Sequence, residues 1–391
     1  MKKRATLFSL TAILLCCALL TGCLGTPSTS GGASSGGGTS ASAGGAAPSG
    51  TGGDASPTVT STSVLPDNAE IVIKFGHNDS EIGLLESPYY AFSRVFKNTV
   101  ETLSGGRIGV QVFPNNQLGD LPSMLEQTVS GTLQMTAGQN TGLLATYMPK
   151  IQVLDIPYVF RDLNTALTVL NGEFGQQLSQ DLIDAAGVRV LCYLPTAFRN
   201  FASNTKEIKS ADDIKGMKIR VMEIPLHMDM VESLGGIPSV ISFQELYSAL
   251  QTGVVDGQEQ APYTMVMNNL QEVTKYYTLS QHLLNSNACT MNEAFFQSLS
   301  DEDQQIVLTA ARAAQRAMMG ITTANEPEVF DKLRSAGVQV YAPNEAELAS
   351  FQDITRQSAI AYLETVGVEA DYVRGFLALV DATQSEIDAQ R

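Results

Sequence analysis

The sequence predicts an α/β fold in two domains. Three observations carry this: strand and helix signatures alternate in the opening globular stretch, a second such unit begins near residue 218, and over 300 residues of ordinary globular composition are available to bury two cores. Taken in order, residues 70–76 (EIVIKFG) read as the first strand. Residues 87–104 set Phe92, Val95, Phe96, Val100 and Leu103 at helical spacing. Ser87-Pro88 starts that helix with proline at its first position, and Gly105-Gly106 stops it. A strand at 107–113, a helix at 121–130 and a strand at 133–136 complete a β-α-β-α-β order. That order predicts a mainly parallel sheet with helices on its faces. Ligands of such folds gather beyond the carboxyl ends of the strands, which singles out His77, Asn78, Gln139 and Asn140.

Residues 188–194 form another strand, with Arg199 beyond it. The second α/β unit opens with KIRV at 218–221 and continues through an amphipathic helix at 243–252. A long helix at 300–320 starts at Ser300 and carries acids in its first turn. Two more helices and a strand at 338–341 finish the chain, and no internal repeat is visible.

The N-terminus addresses the chain. Lys2, Lys3 and Arg4 precede an apolar run at 5–20, and Leu20-Thr21-Gly22-Cys23 ends in a cysteine. This is the pattern of a lipoprotein signal peptide over 1–22, cleaved before Cys23, whose thiol takes the lipid. The apolar run is shorter than the roughly 20 residues a membrane span needs, so the expectation is a membrane anchor on the extracytoplasmic face. Residues 23–64 are mostly Gly, Ser, Ala, Thr and Pro, too polar to bury a core, and read as a tether.

A formal charge of −16 argues against nucleic acid as a partner. Of the five cysteines, Cys192 and Cys289 lie in the globular part, both in apolar runs that read as buried free thiols. No CxxC or HExxH occurs, His77, His227 and His282 are scattered along the chain, and no metal or cofactor is expected. No GxSxG elbow occurs in the globular part (GASSG at 32–36 lies in the Gly/Ser-rich tether), nor a Gly-rich phosphate loop, so no enzyme activity is expected. Asp256 and Glu259 resemble an acid/base pair only superficially; a turn with hydrogen-bonding acids is the plainer reading of GVVDGQE.

The chemistry concentrates at 214–260. Arg220 ends a short apolar strand, and a small-residue turn, Phe243, an amphipathic helix and a glycine-flanked acidic turn follow. A guanidinium on a rigid strand end offers the planar fork that matches a carboxylate. An arginine in that place is otherwise ion-paired or solvated, and Phe243 is otherwise a core residue at a helix start.

Six motifs then carry a resemblance: KFGHN (74–78), SGGRIGVQVFPNNQLGD (104–120), LDIPYVFRD (154–162), FRNFASN (198–204), DDIKGMKIRV (212–221) and FQELYSALQTGVVDGQEQ (243–260). In this order and spacing they resemble the DctP-type solute-binding proteins of TRAP (tripartite ATP-independent periplasmic) transporters. The resemblance implies a periplasmic-binding-protein-like fold of the class II type, with a hinge, a cleft between two discontinuous domains and a long bridging helix. It divides the chain into 65–196 plus 285–323 and 197–284 plus 324–391. It further implies a small organic acid as ligand, a membrane permease as partner, and a monomer. The same fold in a sensory subunit for a membrane histidine kinase is the alternative; a lipid-anchored hydrolase lacks a motif.

Residue by residue, the resemblance makes Arg220 the carboxylate clamp, Arg199 a second arginine on the same side, and Phe243 an aromatic packing on the ligand. Asn78 and Gln139 fall at polar contacts of the first domain. Gln139 and Leu121 replace acids, which suggests a ligand poorer in hydroxyls than a sugar acid. Gln260 stands where the family has asparagine, shifting the amide by about one methylene. Glu223 is placed to orient Arg220, to accept from a ligand amine or hydroxyl, or to stand in solvent.

Overall fold

The chain lays its strands into two sheets that it enters, leaves and re-enters. The structure is a computed structural model that describes residues 63–81 and 83–390 of the 391. Cys23 and the tether up to residue 62 therefore lie outside the described residues.

The first sheet starts with β1 (Ile71–His77), α1 (Pro88–Leu103), β2 (Ile108–Phe113), α2 (Leu121–Ser130) and β3 (Met135–Asn140). Ser87 caps α1 by accepting from the Tyr90 N–H, with Pro88 in the first turn. Two short 3₁₀ turns lead to α3 (Leu163–Asn171), α4 (Glu173–Ala186) and β4 (Val188–Tyr193). The chain then crosses to β5 (Phe198–Ser203), β6 (Lys218–Val221), α5 (Pro225–Ser233), β7 (Ile237–Val240), α6 (Leu246–Thr252), β8 (Gly257–Gln260), α7 (Pro262–Met267) and β9 (Tyr276–Leu284). It returns through β10 (Asn287–Asn292) and α8 (Glu293–Ser298) and runs along α9 (Asp301–Ser335) to β11 (Gln339–Tyr341), α10 (Glu345–Thr365) and α11 (Ala370–Ala389).

The strand orders are β2-β1-β3-β10-β4 and β11-β9-β5-β8-β6-β7. β1 pairs in parallel with β2 and β3, as the alternating pattern predicts, but β10 runs antiparallel to both β3 and β4. In the second sheet β5 is antiparallel to β8 and β9, while β6 is parallel to β7 and β8. Both sheets are thus mixed. Strands that carry the chain across and back meet their neighbours from opposite directions, which local periodicity does not reveal.

Phe75 on β1, Phe92 and Phe96 on α1, and Ile306, Ala310 and Ala314 on α9 form one core layer of the first sheet. Its other face is covered by a cluster that includes Leu170, Leu178 and Leu182 and also Phe376 of α11. The last helix, placed by sequence with the second domain, thus packs on α3 and α4 through Phe160, Phe174 and Phe376. The second sheet has its own layers, one around Ile219, Val221 and Phe351 and another around Leu250, Tyr277 and Leu333.

Helix α9 bridges both sheets. Its 35 residues run through Gly320 and past Pro327, where the sequence predicts a stop at 320. Gly320 meets nothing that a side chain would strike, and Leu333 reaches the core of the second sheet. Tertiary burial outweighs the local breakers. Among the described residues no helix is long and apolar enough to cross a membrane.

Candidate functional site

The carboxyl ends of β1, β3 and β6 open on one cavity of about 190 Å³, lined from both sheets and from the segments that join them. From the first sheet come Asn78, Asp79, Tyr89, Asp120 and Gly138; from the second Arg199, Arg220, Glu223, Phe243 and Gln260; from the crossing segments Thr196, Asn285 and Asn287.

Arg220 sits third on β6, a strand held between β7 and β8. It is only 3% exposed. Its Nε donates to the Ile241 carbonyl at 2.9 Å, while Nη1 is buried with no partner. The Phe243 ring lies 5.9 Å from its Cζ, a cation–π distance. Burial first, and Arg199 second, bring the Arg220 guanidinium down to about 10, so it stays charged at neutral pH. A buried cation without a counter-ion costs several kcal/mol, which a bound carboxylate would offset.

Arg199 has the opposite character. It is 1% exposed. It grips the Glu259 carboxylate through Nε and Nη2, donates again from Nη2 to the Glu259 carbonyl, and donates from Nη1 to Asn285 Oδ1 at 3.0 Å. Four of the five guanidinium hydrogens are therefore committed. Glu259 also lies 3.6 Å from His227 and 3.5 Å from His282, and His227 reaches on to Asp155 at 3.6 Å. Burial alone would push Glu259 up, but Arg199 and the two imidazoles outweigh it and hold the carboxyl well below the usual range. Burial lowers His282, whereas Asp155 and Glu259 overcome burial at His227 and raise it. The histidines are scattered in sequence but two of them meet on one carboxylate. Asp256 accepts from the Lys218 N–H, so neither acid of the GVVDGQE turn is free for chemistry.

The remaining sequence-selected positions divide. Asn78 lines the cavity with a buried, unpartnered Oδ1. Gly138 comes so close that a Cβ there would lie 2.8 Å from that oxygen and 3.2 Å from the Tyr89 ring, and its φ of +83° favours glycine. Gln260 turns its side-chain carbonyl onto the Ala261 N–H at 3.0 Å, so its contribution to the cavity is the amide NH₂. Glu223 is on the exposed rim, and the Ile241 carbonyl, not Glu223, orients Arg220. Gln139 does not line the cavity. Its neighbours Gly138 and Asn140 do, and strand alternation sends Gln139 to the opposite face, where it is fully buried.

Asp120, next to Leu121, and Asp79, next to Asn78, bring carboxylates to the cavity. The absence of acids at 121 and 139 therefore does not leave it without carboxylates. Tyr263 donates to Asp79 Oδ2 at 3.2 Å, and burial raises the Asp79 carboxyl to about 6 against the lowering pull of His77 and Tyr263. The signal was one residue away: Asp79 follows Asn78 past the end of β1. Asn285 and Asn287, polar breaks in the apolar run LLNSNACT, mark the return crossing.

Comparison with known proteins points the same way. A family model described as bacterial extracellular solute-binding protein, family 7 (DctP), matches residues 80–364. A solute-binding protein of Roseobacter denitrificans is 31% identical over 307 residues, which cover 78% of this chain and 91% of that protein. A crystal structure of a TRAP periplasmic solute-binding protein from the same organism, with bound L-galactonate, superposes at a TM-score of 0.72 with 30% identity, over 80% of this chain and 99% of that one. Another from Sulfurospirillum deleyianum, with bound succinate, gives 0.72 at 26% identity over 80% and 99%. The two-sheet α/β architecture is the two-domain periplasmic-binding-protein fold of these neighbours, and the chain belongs to family 7 of the bacterial extracellular solute-binding proteins, the DctP family.

Proposed function

We propose that the protein is a lipid-anchored extracytoplasmic solute-binding protein that captures a small hydroxylated organic carboxylate between its two sheets and delivers it to a TRAP permease. The observation that carries this reading is Arg220, a buried guanidinium held from one side by Ile241 and Phe243 and left with an unpartnered Nη1 at the cavity. The ligand carboxylate takes the place of the missing counter-ion. Phe243 and Gln260 pack and hydrogen-bond beside it, and Arg199 offers its one remaining hydrogen. Asn78, Asp79 and Asp120 at the first-sheet wall are acceptors for ligand hydroxyls, with Glu223 at the rim. Related proteins hold L-galactonate and succinate, both carboxylates, and the acids of this cavity favour the hydroxylated kind.

Two arginine-mediated charge-assisted bonds, at roughly 1.5–3 kcal/mol each, together with several neutral ones, reach the ~8 kcal/mol that micromolar binding requires. The domains divide at 196/197 and 284/285, where both crossings run together, and close on the ligand by bending there. Gln139 is a packing residue in this reading, and no residue of the cavity has a catalytic task. The chain acts as a monomer tethered at Cys23; Cys23→Ser moves it from the membrane to the soluble fraction.

A thermal-shift screen of aldonates, uronates, keto acids and C4-dicarboxylates tests the reading. The expected result is a concentration-dependent stabilisation of wild type by at least one acid and none in Arg220→Ala. Equal stabilisation of both proteins, or turnover of the bound acid, refutes it.

A further inference from the structure

Away from the cavity, Cys192 on β4 and Cys289 on β10 are direct partners in the antiparallel ladder. Opposed residues of such a ladder project from the same face with Cα atoms about 4.5–5.5 Å apart, within the range a disulfide spans. Both side chains enter the core layer beneath α9, where Cys192 Sγ donates to the Ala311 carbonyl at 3.7 Å. Both are free thiols. Cys289 is fully buried, whereas Cys192, 7% exposed, lines a groove of about 680 Å³ whose wall also carries Arg189, Arg312 and Arg316.

The position matters for mechanics. Beyond Cys192 the chain crosses to the second sheet, and it returns just before Cys289. The two crossing segments are tied into a ribbon: the Leu194 N–H donates to the Asn287 carbonyl, the Thr196 N–H to Asn285, and the Asn285 N–H to Ala197. The cysteines face each other at the first-sheet end of that ribbon.

We propose that Cys192 and Cys289 form a reversible dithiol–disulfide site, oxidised by a low-molecular-weight disulfide that enters the arginine-lined groove, and that the bond staples the crossing ribbon at its root. Cys192 loses its proton to solvent and its thiolate attacks one sulfur of the reagent, expelling the first thiolate. Cys289 then deprotonates and attacks Cys192 Sγ, which forms the Cys192–Cys289 bond and expels the second thiolate. The two leaving thiolates take up two protons, and two electrons pass from the cysteines to the reagent. Burial pushes the Cys289 thiol up, which leaves the first attack to Cys192. The thiol chemistry stands on the strand register; its effect on domain closure rests on the proposed hinge.

The test exposes the full chain to oxidised glutathione, both folded and during refolding from denaturant, followed by alkylation in denaturant and peptide mapping. Mapping assigns each thiol by its own peptide, so Cys16, Cys17 and Cys23 do not interfere. The expected product is a Cys192–Cys289 cross-linked peptide with neither residue alkylated, reversed by dithiothreitol. Its closing of a loop of roughly 100 residues raises Tm by about 5 °C or more. Cys289→Ser is expected to accumulate a glutathione adduct on Cys192, and Cys192→Ser to leave Cys289 unmodified in the folded protein. Full alkylation of both cysteines after both treatments overturns the site. A cross-link without glutathione capture by Cys289→Ser overturns the groove as its entry, and one without a rise in Tm overturns the staple. None of these readouts uses the organic acid, so failure here is distinct from failure of the carboxylate reading.

Discussion

Replacing Arg220 by methionine separates a binding arginine from a structural one. In the unliganded protein this side chain is 3% exposed, has one hydrogen bond to a carbonyl, and faces no carboxylate of its own. Removing it deletes a buried charge whose desolvation costs several kcal/mol and whose offsetting contacts, one charge-assisted bond and the Phe243 ring, are worth about 2–5 kcal/mol together. The unliganded variant is therefore expected to melt at the wild-type temperature or above it. Binding responds in the opposite direction. Two charge-assisted bonds to a carboxylate are worth about 3–6 kcal/mol, so Kd rises by about 10²–10⁴-fold. Arg220→Lys keeps the charge but loses the fork, and is expected to recover roughly half of that free energy.

Arg199→Met serves as the contrast. It strands Glu259 beside two histidines with no guanidinium, and breaking such a buried pair from one side costs about 3–5 kcal/mol. Urea denaturation supplies the stabilities, and calorimetry with the acid that stabilises wild type most supplies Kd. If Arg220→Met lowers unliganded stability as much as Arg199→Met while Kd moves less than about threefold, the assignment of Arg220 as the clamp is wrong.

Three further outcomes follow from the same geometry. The Asp79 carboxyl titrates at about 6 folded against 3.8 in the free side chain, so folding favours its neutral form, and that contribution is present below pH 3.8 and lost as pH rises through 6. Asp79→Asn should thus raise the unliganded Tm at pH 7.5 and leave it unchanged at pH 3.5; the reverse pattern sinks the argument. A ligand hydroxyl donates more strongly to the ionised Asp79, so wild-type affinity should fall by up to about tenfold from pH 7 to 5 and that fall should flatten in the variant. Gly138→Ala puts a methyl 2.8 Å from Asn78 Oδ1 at a φ of +83°, and should cost about 1–2 kcal/mol of stability together with ligand affinity; wild-type values for both exclude the close approach. Glu259→Gln should destabilise by about 3–5 kcal/mol in urea, since Arg199 then keeps its charge against neutral acceptors only.

What the sequence revealed was what short-range physics writes into it. The Ser87-Pro88 start of α1 and the Ser300 start of α9 are local hydrogen bonds, and both are present. Arg220 could be singled out because a polar residue ending an apolar strand is visible in four letters. The errors are of another kind. Gly320 looked like a stop because its exposure is a property of the packed helix. Gln139 stands past the end of the strand the sequence predicts at 133–136, but β3 runs on to Asn140 and its alternation turns Gln139 away from the cavity. The mixed sheets and the meeting of Arg199, Glu259, His227 and His282 depend on contacts between distant segments, the Arg199–Glu259 pair alone being 60 positions apart.

The two arginines of the cavity show why such long-range pairing decides function. Both are buried strand residues and both match the same family pattern, so sequence ranks them only by position. One is paired with a carboxylate within the fold, and its charge is thereby part of the stability of the second sheet. The other is buried without one, which makes the unliganded protein less stable than its packing allows and leaves the missing charge to be supplied from outside. Ligand binding and folding are then linked through a single side chain: an acid that completes Arg220 stabilises the folded state by RT ln(1 + [L]/Kd), about 2.7 kcal/mol at a hundredfold excess over Kd. The same acid adds little to Arg199, which has one hydrogen left after Glu259 and Asn285 take the other four. In the proposed reading, specificity for a carboxylate resides in what the fold leaves unpaired.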